Sequence, residues 1–471
     1  MGVALAFLDI VNVAQPWGGK TGRRLRVVAG MFGLLLLAGC AGGVSRQDAM
    51  TFNTTLAQGD YSSAAKVALA SGAIEPDGKS KNLAWSLNAG STLVYAGQPA
   101  QAVKVLDGAE TLMKEQDLSN FGNTQYEYAT YDGIMVNVYK GLAFLGAGDK
   151  ASARVEFNRV GDRQSRAEEE FAKKKQKLDD EIKNKSDGSF DIATAMQRAQ
   201  EDNSYKDFQK ELGKYANYRP FINPAASYLR ALYLMSSAEG ASDLEMARSE
   251  LIRVRDMVGP SQLIKEDLAL LTQNRKKATA KTWVVFENGQ APTFAEYRIT
   301  FPVPVLQKKG HIGVSAVTIA LPRMDFHPQA DGHLSIAAGK AETQTSPIGD
   351  FDRVMASEFQ RRQDAVMARA VAEAMVKIGL QSAANQTDNQ FLKIAAIVGS
   401  QISTADTRSW TSLPKLFEAA RLDAPKDGRL TLRTQAGSPI GTVEVPADQS
   451  SIVYVKEVAP GSSPSIQVFP L

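Results

Sequence analysis

Between residues 48 and 280 apolar positions recur at three- and four-residue spacing, and alternating strand patterns are almost absent. This predicts amphipathic helices broken by short turns. From Thr282 the period changes. Trp283–Phe286 reads as a compact strand closed by Glu287-Asn288-Gly289, and Tyr297, Ile299 and Phe301 alternate as a half-buried strand. Ile312–Leu321 reads as another, followed by helices over 351–379 and 389–401 and short strands at 429–433, 441–445, 452–456 and 466–469. The expectation is α+β overall, with an all-α domain over 48–280 and a mixed α+β domain over 281–471.

Two stretches of the helical half share one spacing. Gly90, Leu93, Gly97, Ala102, Leu106 and Ala109 fall at the same intervals as Gly141, Phe144, Gly148, Ala153, Phe157 and Val160. Small residues where helices cross and large ones in the groove between them resemble the tetratricopeptide repeat. Weaker copies centre on Gly59-Asp60-Tyr61 and on Leu229, Ala247 and Leu251. The other reading is a helical bundle with coincidental spacing. Residues 163–215 are charged on most faces and predict a helical hairpin, either a solvated spacer or a partner-docking arm.

Charge and composition narrow the function classes. Four of the 54 basic residues and one of the 51 acidic ones lie in residues 1–39, so the remainder is neutral. That balance gives no electrostatic footprint for nucleic acid. Cys40 is the only cysteine, which excludes an internal disulfide and a thiolate metal site.

Residues 1–39 carry the strongest targeting signal. Lys20, Arg23, Arg24 and Arg26 precede an apolar stretch that ends in Leu37-Ala38-Gly39-Cys40. A basic region, a short apolar core and a small-residue cleavage site make a secretory signal. The cysteine after Leu-Ala-Gly resembles the lipobox of bacterial lipoproteins, which implies cleavage before Cys40 and acylation on it, with 40–47 as a lipidated tether. Residues 1–19 make a long leader, or mark a misassigned start. Ala41 rather than aspartate after the cysteine implies, by resemblance, the periplasmic face of the outer membrane.

Chemistry-bearing constellations are few. His327 and His333 share a loop with Asp325 and Asp331, and His311 stands apart. They read as a solvated loop, with a metal site as the alternative, and no cofactor is implied. Glu287 reads as a turn carboxylate capping local amides, with a buried and perturbed acid as the alternative. Arg408 and Trp410 form either a stacked structural pair or a docking patch. The segment Asp406-Thr407-Arg408-Ser409-Trp410, with Trp283–Gly289, resembles a poorly characterised family of bacterial lipoproteins with tetratricopeptide-like repeats and a C-terminal mixed domain. Members tend to accompany lipoproteins related to the curli secretion channel and to activators of penicillin-binding proteins. The repeats, together with the missing catalytic constellation, point to a non-enzymatic envelope scaffold with other envelope lipoproteins or peptidoglycan-synthesis proteins as partners. The alternatives are a regulator of peptidoglycan synthesis, a component of a curli-channel-like secretion or appendage complex, both implied by the resemblance, and an enzyme of unrecognised type with Glu287 and the loop histidines as its candidates. The resemblance leaves the oligomeric state open.

Overall fold

The computed structural model describes residues 46–118, 126–185, 192–215, 217–272, 279–306, 312–385 and 404–471. The signal segment, Cys40 with Leu37, Ala38 and Gly39, His311 and the helix expected over 389–401 lie outside these residues.

Helices come as antiparallel pairs: α1 (Arg46–Ala57) with α2 (Tyr61–Ser71), α3 (Leu83–Tyr95) with α4 (Pro99–Leu118), α5 (Thr130–Gly146) with α6 (Lys150–Lys185), and α9 (Pro224–Ser236) with α10 (Ala241–Val258). Side chains cap their starts: Asp60 accepts from the Ser63 amide, Asn82 from Trp85, and Asn223 from Ala225 and Ala226. Gly97 and Gly148 turn the chain between paired helices with φ of +67° and +79°, a region L side chains avoid. The aligned positions do equivalent work. A Cβ at Gly90 would run into Leu106, and one at Gly141 would come within 2.9 Å of Phe157. Ala102 and Ala153 are fully buried at the same crossings.

The expected charged hairpin is built differently. α6 is a single 36-residue helix, and the return is made by two short helices, α7 (Ile192–Gln200) and α8 (Asn203–Leu212). They break at Asp202, which caps α8 by accepting from the Ser204 and Tyr205 amides.

α11 (Gln262–Leu270) ends the helical half. The strands are β1 (Lys281–Asn288), β2 (Thr293–Leu306), β3 (Ile312–Asp325), β4 (Leu334–Ala338), β5 (Ala341–Gln344), β6 (Ser346–Asp350), β7 (Leu416–Asp423), β8 (Arg429–Thr434), β9 (Pro439–Glu444), β10 (Ser451–Glu457) and β11 (Ser465–Pro470). A 35-residue helix, α12 (Phe351–Asn385), lies between β6 and β7. The central sheet has order β11-β10-β1-β7-β6, with β1 and β10 parallel and the other pairs antiparallel. A four-stranded sheet, β5-β4-β8-β9, covers one of its faces. Val284, Phe286, Val453 and Val455 meet Leu334, Ile336, Leu430 and Leu432 there in one apolar core.

Helices cover the other face. β11 packs on α3 and α5, β6 on α9 and α10, and β7 on α11. All 13 residues of α3 are buried, as are 14 of 17 in α5 and 12 of 13 in α9, so these are inner helices with a partner on both sides. Arg46–Leu471 forms one compact unit. The change of period near residue 280 marks a change of secondary structure within that unit.

A lobe extends from this body. β2 and β3 form a two-stranded ribbon in register over all 14 residues. Ile299, Phe301, Val303, Val317, Ile319 and Leu321 bury one face against Met367, Val371 and Met375 of α12, with Ala195, Ala199 and Tyr205 of α7 and α8. Pro302, Pro304 and Pro322 all fall on the opposite parity, paired with Ala316, Val314 and Glu296. In an antiparallel ladder alternate residues direct N–H away from the partner strand, so the missing donors face outward and the ladder stays whole. Among the described residues no helix is long and apolar enough to cross a membrane.

Candidate functional site

A buried polar centre lies between the helices and the central sheet. Because side chains alternate along β1, Trp283, Val285 and Glu287 face the helices while Val284 and Phe286 face the apolar core. Glu287 is fully buried. Its carboxylate accepts from Tyr95 Oη at 2.7 Å, from Tyr139 Oη at 2.8 Å and from Tyr454 Oη. Lys456, its register partner on β10, places Nζ 3.5 Å from Oε2 and donates to the Gly289 carbonyl at 3.0 Å. Tyr61 closes the group by donating to the Lys456 carbonyl at 2.9 Å.

Burial sets the electrostatics here. Removal from water pushes the Lys456 ammonium down to about 8, with Glu287 opposing the shift. The Tyr95, Tyr139 and Tyr454 phenols are pushed well above their ordinary value by burial and then by the neighbouring carboxylate, so they stay protonated donors. Glu287 therefore joins two helices to two strands. Its place within β1 rather than in the turn, with tyrosines replacing local amides as partners, corrects the turn-cap reading.

The 404–413 segment seals this centre from the side. Trp410 is 2% exposed, lies 5.6 Å from the Tyr139 ring and donates to Ser91 Oγ at 2.9 Å. Ser412 bonds Ser91 and Asn88, and Asn88 also donates to the Ser409 carbonyl. Arg408 turns away and makes a two-pronged pair with Asp406 at 2.8 and 2.7 Å. The indole fills the interior, while the Arg408 guanidinium is engaged by Asp406.

A second centre lies along the same interface. Asp267 of α11 accepts from Tyr228 Oη at 2.6 Å, from Arg421 at 2.7 Å and from Trp283 Nε1 at 3.3 Å, and burial holds its carboxyl above the usual range. A third joins the start of α5 to α12. Glu358 accepts the Thr130 and Tyr131 amides at 2.7 and 3.3 Å, beside the buried Asp132.

The four loop residues do not converge on a metal. His327 faces Thr293 Oγ1 at 3.0 Å, Asp325 pairs with Arg323 at 3.2 Å, and Asp331 accepts the Gly332 and Gln435 amides. Among the described residues no group of three His, Cys, Asp or Glu is placed to hold a metal ion. Burial lowers the His327 imidazole. It lines an open depression with Asn53, Thr54, Ala57, Gln58, Gln290 and Thr293.

Sequence reading missed Lys456, Tyr454, Asp267 and Glu358. The signal for Lys456 was a charge in the middle of the apolar run Ile452–Val458, where both faces of a strand are covered. Comparison with protein-family models, with curated proteins and with solved structures gives no match.

Proposed function

We propose that this chain is a lipid-anchored, periplasm-facing scaffold of the bacterial cell envelope, held through acylated Cys40 at the outer membrane and acting without catalysis. The lipobox-like Leu37-Ala38-Gly39-Cys40 supports the anchor. The helix pairs, with Gly90 against Leu106 and Gly141 against Phe157, support a tetratricopeptide-like origin for the array.

One observation carries the scaffold reading. The polar groups that could have done chemistry are used to bind the helical layer to the sheet, with Glu287 and Asp267 completely enclosed by their own chain. It also moves the site of partner contact. The face that such an array would offer to a peptide is filled by β11, β10, β1, β7 and β6. Partners therefore meet the lobe built on α12, α7, α8 and the β2–β3 ribbon, or the outer helices α4, α6 and α10.

In-cell cross-linking from the lobe, with mass spectrometry of what co-purifies from solubilised membranes, tests this. Recovery of a curli-channel-like lipoprotein, or of a peptidoglycan synthase or its activator, names the complex. Hydrolysis of peptidoglycan or peptides by the purified protein would overturn the non-catalytic reading.

A further inference from the structure

We infer that the junction between the start of α5 and the first turns of α12 is a proton-operated clamp, closed while Asp132 carries a proton and loosened when that proton is lost.

Two carboxylates and one guanidinium meet in this junction. Glu358 on α12 has both oxygens on the amides of Thr130 and Tyr131, so it docks α12 onto the N-terminus of α5, where an anion is favoured. Asp132 accepts from Tyr126 Oη at 2.7 Å and from the Ala129 amide at 2.8 Å through Oδ2. Its Oδ1 is buried with no hydrogen-bond partner, which is where a proton would sit. Arg362 is the cation that faces both acids, and it also lies 3.5 Å from Glu127. One cation for two buried carboxylates leaves one carboxylate uncompensated, and an uncompensated buried charge is costly.

Among the described residues, the cations of the neighbouring helices are engaged elsewhere; on α12 itself Arg353 is bound to Asp350 and Arg361 to Glu168. From α6, Arg163 is bound to Asn137 and Glu110, and Lys174 to Asp117. From α9, Arg230 is bound to Glu250. Further along α5, Lys140 is held by Asp107, Glu110 and Glu156. Tyr126, Tyr128 and Tyr131, which precede or open α5, are neutral. Burial raises the Asp132 carboxyl to about 7, with Glu358 adding to the shift and the Tyr126, Ala129 and Arg362 partners opposing it.

Strain is stored beside this junction, on the same turns of α12. Residues 217–223 cross the root of α12: the Tyr218 amide donates to Ser357 Oγ at 3.2 Å, and Tyr218 Oη accepts the Asp350 amide at 3.3 Å. Phe221 sits in the left-handed region with φ of +64°, which a bulky residue adopts only under constraint. Its ring is held 5.0 Å from Phe171 of α6, with the Arg361 guanidinium of α12 5.9 Å away. Release of α12 at Glu358 lets this segment relax. The lobe is carried further along α12, at Met367, Val371 and Met375, so the clamp governs how firmly the lobe is fixed to the body.

Linkage fixes the sign. An acid near pH 7 when closed and near pH 4 when exposed releases one proton on opening between those values. The opening constant then rises about tenfold per pH unit from pH 5 to 7 and levels off above. Hydrogen exchange of the detergent-solubilised full-length protein, corrected for intrinsic rates, reads this directly. Amides 129–133, 217–223 and 351–362 should lose protection by up to about 100-fold between pH 5 and 7. Those of β1 open only with the whole fold and should be better protected than the junction at every pH. Asp132→Asn should abolish the loss at 129–133 and 217–223. Junction amides no less protected than those of β1, or without a pH response of their own, overturn the clamp. So does a wild-type pH profile in Asp132→Asn. Should that variant fail to fold, the wild-type contrast between junction and β1 decides alone.

Discussion

Glu287 and Lys456 face each other across the parallel pair β1 and β10, Nζ to Oε2 at 3.5 Å, both essentially out of reach of water. Their partners come from four elements, so the pair is a joint between layers.

Removing one member should be worse than removing both. Glu287→Ala leaves a buried ammonium and three phenols without their acceptor, and breaking such a pair costs about 3–5 kcal/mol. Glu287→Met with Lys456→Met together should cost less than Glu287→Ala alone, since both charges vanish. Urea melts of the three proteins measure this. A double variant less stable than the single one would show that packing, and not charge, governs the site.

Stability should fall and then rise with pH. Asp132 and Asp352 are each raised to about 7, chiefly by burial, as is Glu457, where Asp331 adds to the shift. A raised acid binds protons better when folded, so its contribution is present on the acid side and lost as pH rises to about 7. Lys456, lowered to about 8, acts oppositely: above pH 8 the unfolded chain holds more protons, and stability recovers with further rise. Urea midpoints should be higher at pH 5 than at 7.5 and climb again between 8 and 10. Asp352→Asn should flatten the first limb.

The two glycines at the helix crossings should tolerate no side chain. Gly90→Val and Gly141→Val push into Leu106 and Phe157, and overpacking of this kind costs about 1–3 kcal/mol. Gly240→Ala, which meets nothing within 4 Å, should change stability by less than about 0.5 kcal/mol. Thermal melts of the three variants separate crossing-point glycines from ordinary ones.

Trp410 and Arg408 should behave as unrelated residues. Trp410→Ala opens a cavity beside Tyr139 and strips a donor from Ser91, at about 3–5 kcal/mol. Arg408→Ala removes a partly exposed pair worth about 0–1 kcal/mol. Denaturant midpoints resolve the two. A comparable loss in both would restore a coupled role.

Cys40→Ser should move the protein from the membrane fraction to the soluble periplasmic extract. Retention in the membrane after that change would remove the acyl-anchor proposal.

Much of the architecture was legible in local pattern. The glycine-marked pairs appear as α3–α4 and α5–α6, and the strands read near 283, 297, 312, 429, 441, 452 and 466 are all present. β7 was not read, because Leu416-Phe-Glu-Ala-Ala-Arg-Leu-Asp has weak strand propensity and its state is imposed by β1 and β6 on either side. β6 was hidden by Pro347 and Gly349. The Glu287 centre joins residues 95, 139, 287, 454 and 456, and no local period connects positions so far apart. What a sequence shows is a charge on a buried strand; its partners appear only with the parallel pairing of β1 and β10.

The prolines of the β2–β3 ribbon bear on how copies of the chain meet one another. A two-stranded ribbon 14 residues long is a ready template for its neighbours, and the proposed acyl anchor would confine copies to two dimensions, where encounters are frequent. With Pro302, Pro304 and Pro322 removing donors from its outward rims, the ribbon cannot recruit an adjacent copy by continuous backbone pairing. Under the proposed anchoring, crowding would thereby be kept from turning into polymerisation.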